Sequence, residues 1–241
     1  MKKLLLGLYL MVSSFVYSYV NIYPLTFDKR IDGIGEVEEY QLYNGTNSTI
    51  RYVFTIAKSK DQKDMSKWIE FYPKTLSLKP GKEGIVKVFI KAPRGTEAGE
   101  YTAIFGVKEM PAPSEKDMRE NKGSSIKILT NLKITIAGYI GEIEPKIVEE
   151  RVFLTKDEGK LDFQGEIRNI GQRRGTFSFY LSDSKEKKLF YMGQKRLLKD
   201  EKIELKEFNQ EIKEREILKN IKSFNTILIK ENDKVVKKIK I

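Results

Sequence analysis

Between residues 125 and 141 an apolar side chain or a threonine returns at every second position. Ile126, Ile128, Thr130, Leu132, Ile134 and Ile136 alternate there with Lys127, Asn131, Lys133 and Thr135. That is the two-residue period of a strand, whose successive side chains point to opposite faces, and not the 3.6-residue period of a helix. The spacing predicts one long β-strand with one apolar face. At ~3.3 Å per residue its alternating positions reach roughly 35 Å, against about 17–20 Å for a common strand. A strand of that length outruns an ordinary partner, so part of it is expected to serve something outside its own domain.

Upstream, residues 100–107 read as a second strand. The polar segment from Lys108 to Ser124, with Pro111 and Pro113, joins the two as a long hairpin tip. A loop of that length inside a compact domain is more often functional than merely connective. Earlier still, residues 19–27 alternate loosely around Pro24, as an edge strand tolerates. Residues 36–43 and 50–57 form strands either side of the turn chemistry at Asn44, Gly45, Thr46, Asn47 and Ser48. Asn44 and Asn47 also begin Asn-x-Ser/Thr triplets, for which turn formation is the preferred explanation over glycan attachment. Residues 68–73 and 86–90 add two more strands, the second led in by Pro80 and Gly81. Short strands at close spacing with turn residues at each break predict an antiparallel β-sandwich.

After Glu144 and Pro145, read as a hinge, the pattern restarts. Strands are expected over 146–154, 161–168 and 175–181, and a closing hairpin over 226–241. Residues 199–222 are ambiguous between helix and strand, with strand preferred at their start. Asn44 and Asn169 each follow a strand and precede an aromatic one, a weak internal repeat that suggests two sandwiches of one kind. The expected chain is therefore all-β: a leader at 1–18, a first sandwich at 19–142 and a second at 143–241.

The leader follows from Lys2 and Lys3, the apolar run from Leu4 to Val12 and the small residues to Ser18, which together match a secretory signal cut after Ser18. An N-terminal anchor is the alternative, although the apolar run is near the short limit for a span. No stable membrane span is expected once the leader is gone. The chain has no Cys and no His. Disulfides, a lipidated N-terminal cysteine, Ser-His-Asp and Cys-His catalysis and ordinary zinc sites are excluded with them. Adjacent carboxylates such as Glu38 and Glu39, or Glu149 and Glu150, face opposite ways on a strand, so a glycosidase pair is not favoured. The 45 basic and 34 acidic residues are interleaved along the chain, which argues against a nucleic-acid surface. No catalytic residue, cofactor or metal is expected, and the chain reads as a binding protein.

Leu76, Leu78, Pro80 and Gly81 before a strand, the strand from Tyr101 to Val107, the run from Glu109 through Pro111, Pro113, Ser114 and Lys116, and Thr130 to Ile134 with Lys133 carry a resemblance. Over residues 20–142 the sequence resembles the periplasmic pilus chaperones of the chaperone-usher pathway. The resemblance implies two immunoglobulin-like domains, a periplasmic location, and a pilin-like subunit and an outer-membrane usher as partners. It implies that Ile126, Ile128, Thr130 and Leu132 form the donor strand and that Lys133 anchors the subunit's terminal carboxylate. The first-strand position at which that family carries an arginine falls on Pro24 or its neighbours, with Lys29 and Arg30 downstream. Any sandwich strand with one core face shows the same alternation, so plain core packing stays open. The alternative function is a non-enzymatic cell-surface or envelope scaffold built of tandem sandwiches, to whose family the Pro80–Gly81 turn and the strand start at Gly99 and Glu100 are also similar. A carbohydrate-acting enzyme ranks third.

Overall fold

The computed structural model describes residues 21–60, 63–110, 129–157, 160–187, 189–211 and 221–241. The leader therefore lies outside the described residues, as do Ile126 and Ile128. The described chain is all-β, with only short 3-10 turns between strands. It divides into two compact units, one of residues up to Thr96 plus Tyr101–Gly138, the other of Glu97–Glu100 plus Tyr139–Ile241.

The first unit is a sandwich of two sheets. Its strands in chain order are β1 (Asn21–Tyr23), β2 (Asp28–Arg30), β3 (Glu36–Tyr43), β4 (Ile50–Lys58), β5 (Ile69–Tyr72), β6 (Thr75–Leu78), β7 (Glu83–Ile90), β8 (Gly99–Met110) and β9 (Asn131–Ile140). One sheet has the order β1-β3-β7-β5, the other β2-β9-β8-β4-β6. Of the edge strand expected at 19–27, the described part is strand only at β1, which ends before Pro24, and the next strand, β2, begins at Asp28 on the edge of the other sheet. Period-2 alternation points Tyr40 and Leu42 of β3, Val86 and Val88 of β7, Tyr52 and Phe54 of β4, and Phe105 and Val107 of β8 into one core. Phe105 lies at its centre, with Tyr40 and Phe54 at ring-centroid distances of 4.9 and 5.8 Å.

The second unit contains β10 (Ile147–Asp157), β11 (Lys160–Asn169), β12 (Gly175–Asp183), β13 (Leu189–Leu197), β14 (Lys202–Glu204), β15 (Gln210–Glu211), β16 (Phe224–Glu231) and β17 (Lys234–Lys240). Its sheets run β10-β11-β14, with β15 also on β11, and β13-β12-β16-β17. Phe163, Phe177, Phe179, Leu181, Ile227 and Ile229 are fully buried between them. The ambiguous segment at 199–222 contains β14, a 3-10 turn at Leu205–Phe208 and β15, after which residues 212–220 lie outside the described part. Leu205 and Phe208 suit helix spacing because one turn places both in the core. The sequence reading passed over β13. Its alternation is interrupted at Gly193, beside the register shift opposite Phe179 and Tyr180.

The internal repeat is a repeat of geometry. Asn44 follows β3 where the chain crosses from one sheet to the other, and Asn169 ends β11 at the same kind of crossing. Both are fully buried. The Asn44 side-chain oxygen accepts from the Thr46 N–H at 2.9 Å, and that of Asn169 from the Gly171 N–H at 3.0 Å, the turn an asparagine makes two residues on. The Asn44 amide donates to the carbonyls of Ser48 and Leu78, both at 2.8 Å. That of Asn169 donates to Arg173 at 2.9 Å and, more weakly, to Leu197 at 3.4 Å. Asn44 is therefore a structural turn residue and has no exposed amide for a glycan.

Asn44→Ala removes the amide donor of the buried Leu78 carbonyl, at a cost of about 1–3 kcal/mol, together with its bonds to the part-buried Ser48 carbonyl and the Thr46 N–H. Urea unfolding is expected to show a loss on the order of 2–4 kcal/mol, whereas the exposed Asn47→Ala stays within about 0.5 kcal/mol of the parent.

Candidate partner-binding site

The strand on which the functional expectation rests is β9. The predicted phase holds through its first half: Leu132 is half-buried, Ile134 nearly buried and Ile136 fully buried, while Asn131 and Lys133 are exposed. Thr130, just before the strand, is half-buried like Leu132. From Ile136 onward the alternation stops, with Ala137 and Gly138 both buried. Gly138 is in phase with Ile134 and Ile136, and the side chain of the fully buried Ile31 lies where a Cβ on Gly138 would project. One face of this strand is thus core at its C-terminal end and incompletely covered at its N-terminal end.

The backbone edge of β9 follows the same gradient. β8 lies along one side and β2 along the other, but β2 has three residues against ten in β9. The Ala137 N–H donates to the Phe27 carbonyl at 2.7 Å. From that bond a three-residue strand, run in either direction, reaches no further back than Ile134. Asn131, Leu132 and Lys133 therefore present an edge that β2 does not pair. Unpaired strand edges are templates for another chain.

Thr130 closes against β8. The Glu109 N–H donates to the Thr130 carbonyl at 2.8 Å, and the Glu109 carboxylate accepts the Thr130 N–H at 3.2 Å. Glu109 is buried, in phase with Phe105 and Val107 on the core face of β8, and sits directly opposite Tyr52 on β4. The Tyr52 hydroxyl is buried and has no hydrogen-bond partner among the described residues. Burial pushes the Tyr52 phenol up to about 12, with the Glu109 charge adding to it. Next to the bonded pair, Met110 and Leu129 are exposed apolar side chains. The pairing of Glu109 with Tyr52 was not read from the sequence, although the β8 alternation does place Glu109 on the core face.

A partner's carboxylate would need a cation that is not already neutralised. Lys133 is exposed and has no ion pair among the described residues. Lys29 and Arg30 lie on β2, the strand beside β9, but their charges are engaged. Lys29 bonds Glu38 at 3.0 Å, and Arg30 chelates Asp32 at 2.6 and 3.0 Å. In the second unit the buried Arg173 binds Glu231 at 2.8 and 3.0 Å and Glu144 at 3.0 Å. Burial pulls the Arg173 pKa down, but the hydrogen bond and charge of Glu231 outweigh it and hold the guanidinium above its usual value. Arg174 is likewise held by Glu100. These two arginines build the fold and are not available to a ligand.

A phenol whose pKa is raised on folding stays neutral in the native state while the unfolded chain ionises. Stability contributed by Tyr52 is therefore complete below pH 10 and lost as pH rises to about 12. Tyr52→Phe is expected to reduce the alkaline loss of stability over that window by on the order of 1–3 kcal/mol, read as the difference between the two unfolding profiles against pH.

No family model matches the chain, and no curated protein matches it. Among solved structures, it is similar to a chain of the Salmonella enterica SafA pilin in complex with the SafB chaperone, at 9% identity over 93% of this chain and 95% of that one, with a TM-score of 0.47. It is also similar to the YadV chaperone, at 11% identity over 93% and 100% of the two chains and a TM-score of 0.46. A third is a chain of the CsuC–CsuE chaperone–tip adhesion subunit complex of Acinetobacter baumannii, at 13% identity over 78% and 90% with a TM-score of 0.41.

Proposed function

We propose that this protein is a non-enzymatic, periplasmic chaperone-like binding protein that holds pilus subunits by donating the strand that contains β9. The observation that supports this is the gradient along β9: a core strand whose first residues keep, among the described residues, a backbone edge that β2 does not pair and an apolar face only partly covered. A subunit lacking one strand offers the complement, a groove of apolar holes lined by unpaired main-chain groups. Thr130 and Leu132 supply the described part of the donor face, and Ile126 and Ile128 continue its phase upstream. Each apolar side chain buried in such a groove contributes ~1.5–3 kcal/mol, so the isoleucines and Leu132 together contribute roughly 5–9 kcal/mol. Main-chain ladder bonds add to this and set the register. Lys133, which has no ion pair among the described residues, would receive the subunit's terminal carboxylate, and an outer-membrane usher would take the loaded complex.

Leu132 is half-buried, so Leu132→Asp is expected to remain folded, with a melting temperature near that of the parent, while abolishing copurification of a pilus subunit. Lys133→Ala removes a charge-assisted contact worth ~1.5–3 kcal/mol and should weaken capture by roughly tenfold to a hundredfold. Ile136→Asp, a core change, marks what loss of fold looks like. A folded Leu132→Asp variant that still carries its subunit overturns the proposal and leaves the envelope scaffold.

A further inference from the structure

The solvent face of the sheet β1-β3-β7-β5 carries a second group of unengaged side chains, on the sheet opposite the one that holds β9. Register places Asn21, Tyr43 and Glu83 in one row across β1, β3 and β7, and Tyr23, Gln41 and Ile85 in the next. Ile22 and Leu42, between the rows, point into the core. The two rows therefore share the outer face. They enclose a hollow of about 290 Å³ lined by Asn21, Tyr23, Gln41, Leu42, Tyr43 and Glu83, close to the lower end of small-molecule sites at roughly 300 Å³.

Tyr23 is 72% exposed and Tyr43 39%. Each is opposite the other's amide neighbour, which makes the two tyrosines diagonal neighbours at about 7–8 Å. A flat ring of small-molecule size fits across that spacing. The Tyr43 ring is held beside the turn, because a Cβ on Gly45 would lie 3.3 Å from it. Asn21, Gln41 and Glu83 bring two amides and one carboxylate, and none of these side chains, nor either tyrosine hydroxyl, has a hydrogen-bond or ion-pair partner among the described residues. Amides both donate and accept, as hydroxyl-rich ligands require. No lysine or arginine lines the hollow, so an anionic ligand has nothing to pair with. Aromatic faces for stacking, planar polar groups for hydroxyls and no cation are together the chemistry that recognises a neutral sugar.

We propose that this hollow binds a neutral saccharide, by stacking on Tyr23 and Tyr43 and hydrogen bonding to Asn21, Gln41 and Glu83. The site does not involve β9, so it stands or falls independently of strand donation. The test is calorimetric and NMR titration of the full chain with a β-1,4-linked N-acetylglucosamine tetramer and with maltotetraose. Saturable binding of at least one is expected, with shifts confined to β1, the end of β3 and the start of β7. Tyr23→Ala and Gln41→Ala should each weaken it by roughly tenfold without changing the melting temperature, since both side chains are exposed. Tyr72→Ala, an equally exposed tyrosine outside the hollow, should leave it unchanged. Absence of saturable binding to both sugars, or binding that Tyr23→Ala and Gln41→Ala do not weaken, overturns the proposal.

Discussion

Each unit depends on one buried asparagine amide at the point where its chain crosses between sheets. The main-chain bonds of the two sites correspond one for one. The Asn44 N–H reaches the Lys82 carbonyl and its own carbonyl receives the Gly81 N–H, while Asn169 makes the corresponding bonds with Glu201 and Asp200. Gly81 and Asp200 both adopt positive φ, 67° and 63°. The residue after each returns an N–H to the carbonyl three places back. One side chain thus ties the outgoing crossing to the returning one. Buried carbonyls in a crossing loop have no ladder to join, and unmet they would cost more than the loop gains by burial. The asparagine satisfies them and in doing so fixes how the two sheets are joined.

With the crossings fixed, the hydrophobic alternation decides the rest. In the first unit β3, β4, β7 and β8 turn one row of large side chains inward, and the aromatic group around Phe105 fills the space between the sheets. β9 differs because its inward row outlasts the cover available to it. Ile134 and Ile136 are enclosed, Leu132 and Thr130 only half so. The buried Glu109 marks the same boundary, since it satisfies the Thr130 N–H through its side chain where a regular ladder would use a main-chain carbonyl. A carboxylate is expensive to bury without such a bond, and its place in a core-facing phase shows that the sandwich stops being purely apolar there.

Much of this was legible because period 2 is a local signal. β3 was read with its observed ends, Phe177 and Phe179 were assigned to one face correctly, and the equivalence of Asn44 with Asn169 was visible as an order of elements. What escaped depended on distant partners. β13 was missed because its alternation is weakened by Gly193, which lies against Phe208 from another segment. That β1 and β2, either side of Pro24, join the edges of two different sheets depends on β3 and β9, far away in sequence. For the site, the phase of Thr130, Leu132 and Lys133 could be read directly, whereas Ile126 and Ile128 lie outside the described residues. That Lys29 and Arg30 are engaged by Glu38 and Asp32 is a matter of three-dimensional pairing that no spacing rule contains.

The treatment of the sheet edges gives the β9 opening its meaning. Exposed edges invite unwanted pairing, and proteins blunt them by shortening, charging or bulging the strand. Here β1 and β2 have three residues, and β5 and β6 four. The longer edges of the second unit are disrupted by register shifts on β10 and beside β13, and β17 carries Lys234, Lys237, Lys238 and Lys240. Every true edge is therefore short, irregular or basic. The uncovered start of β9 is none of these, since it is the regular, apolar end of an interior strand. A chain that guards its other described edges in this way leaves this one regular and half-apolar, and it is the edge that the proposed donation of β9 to a partner would use.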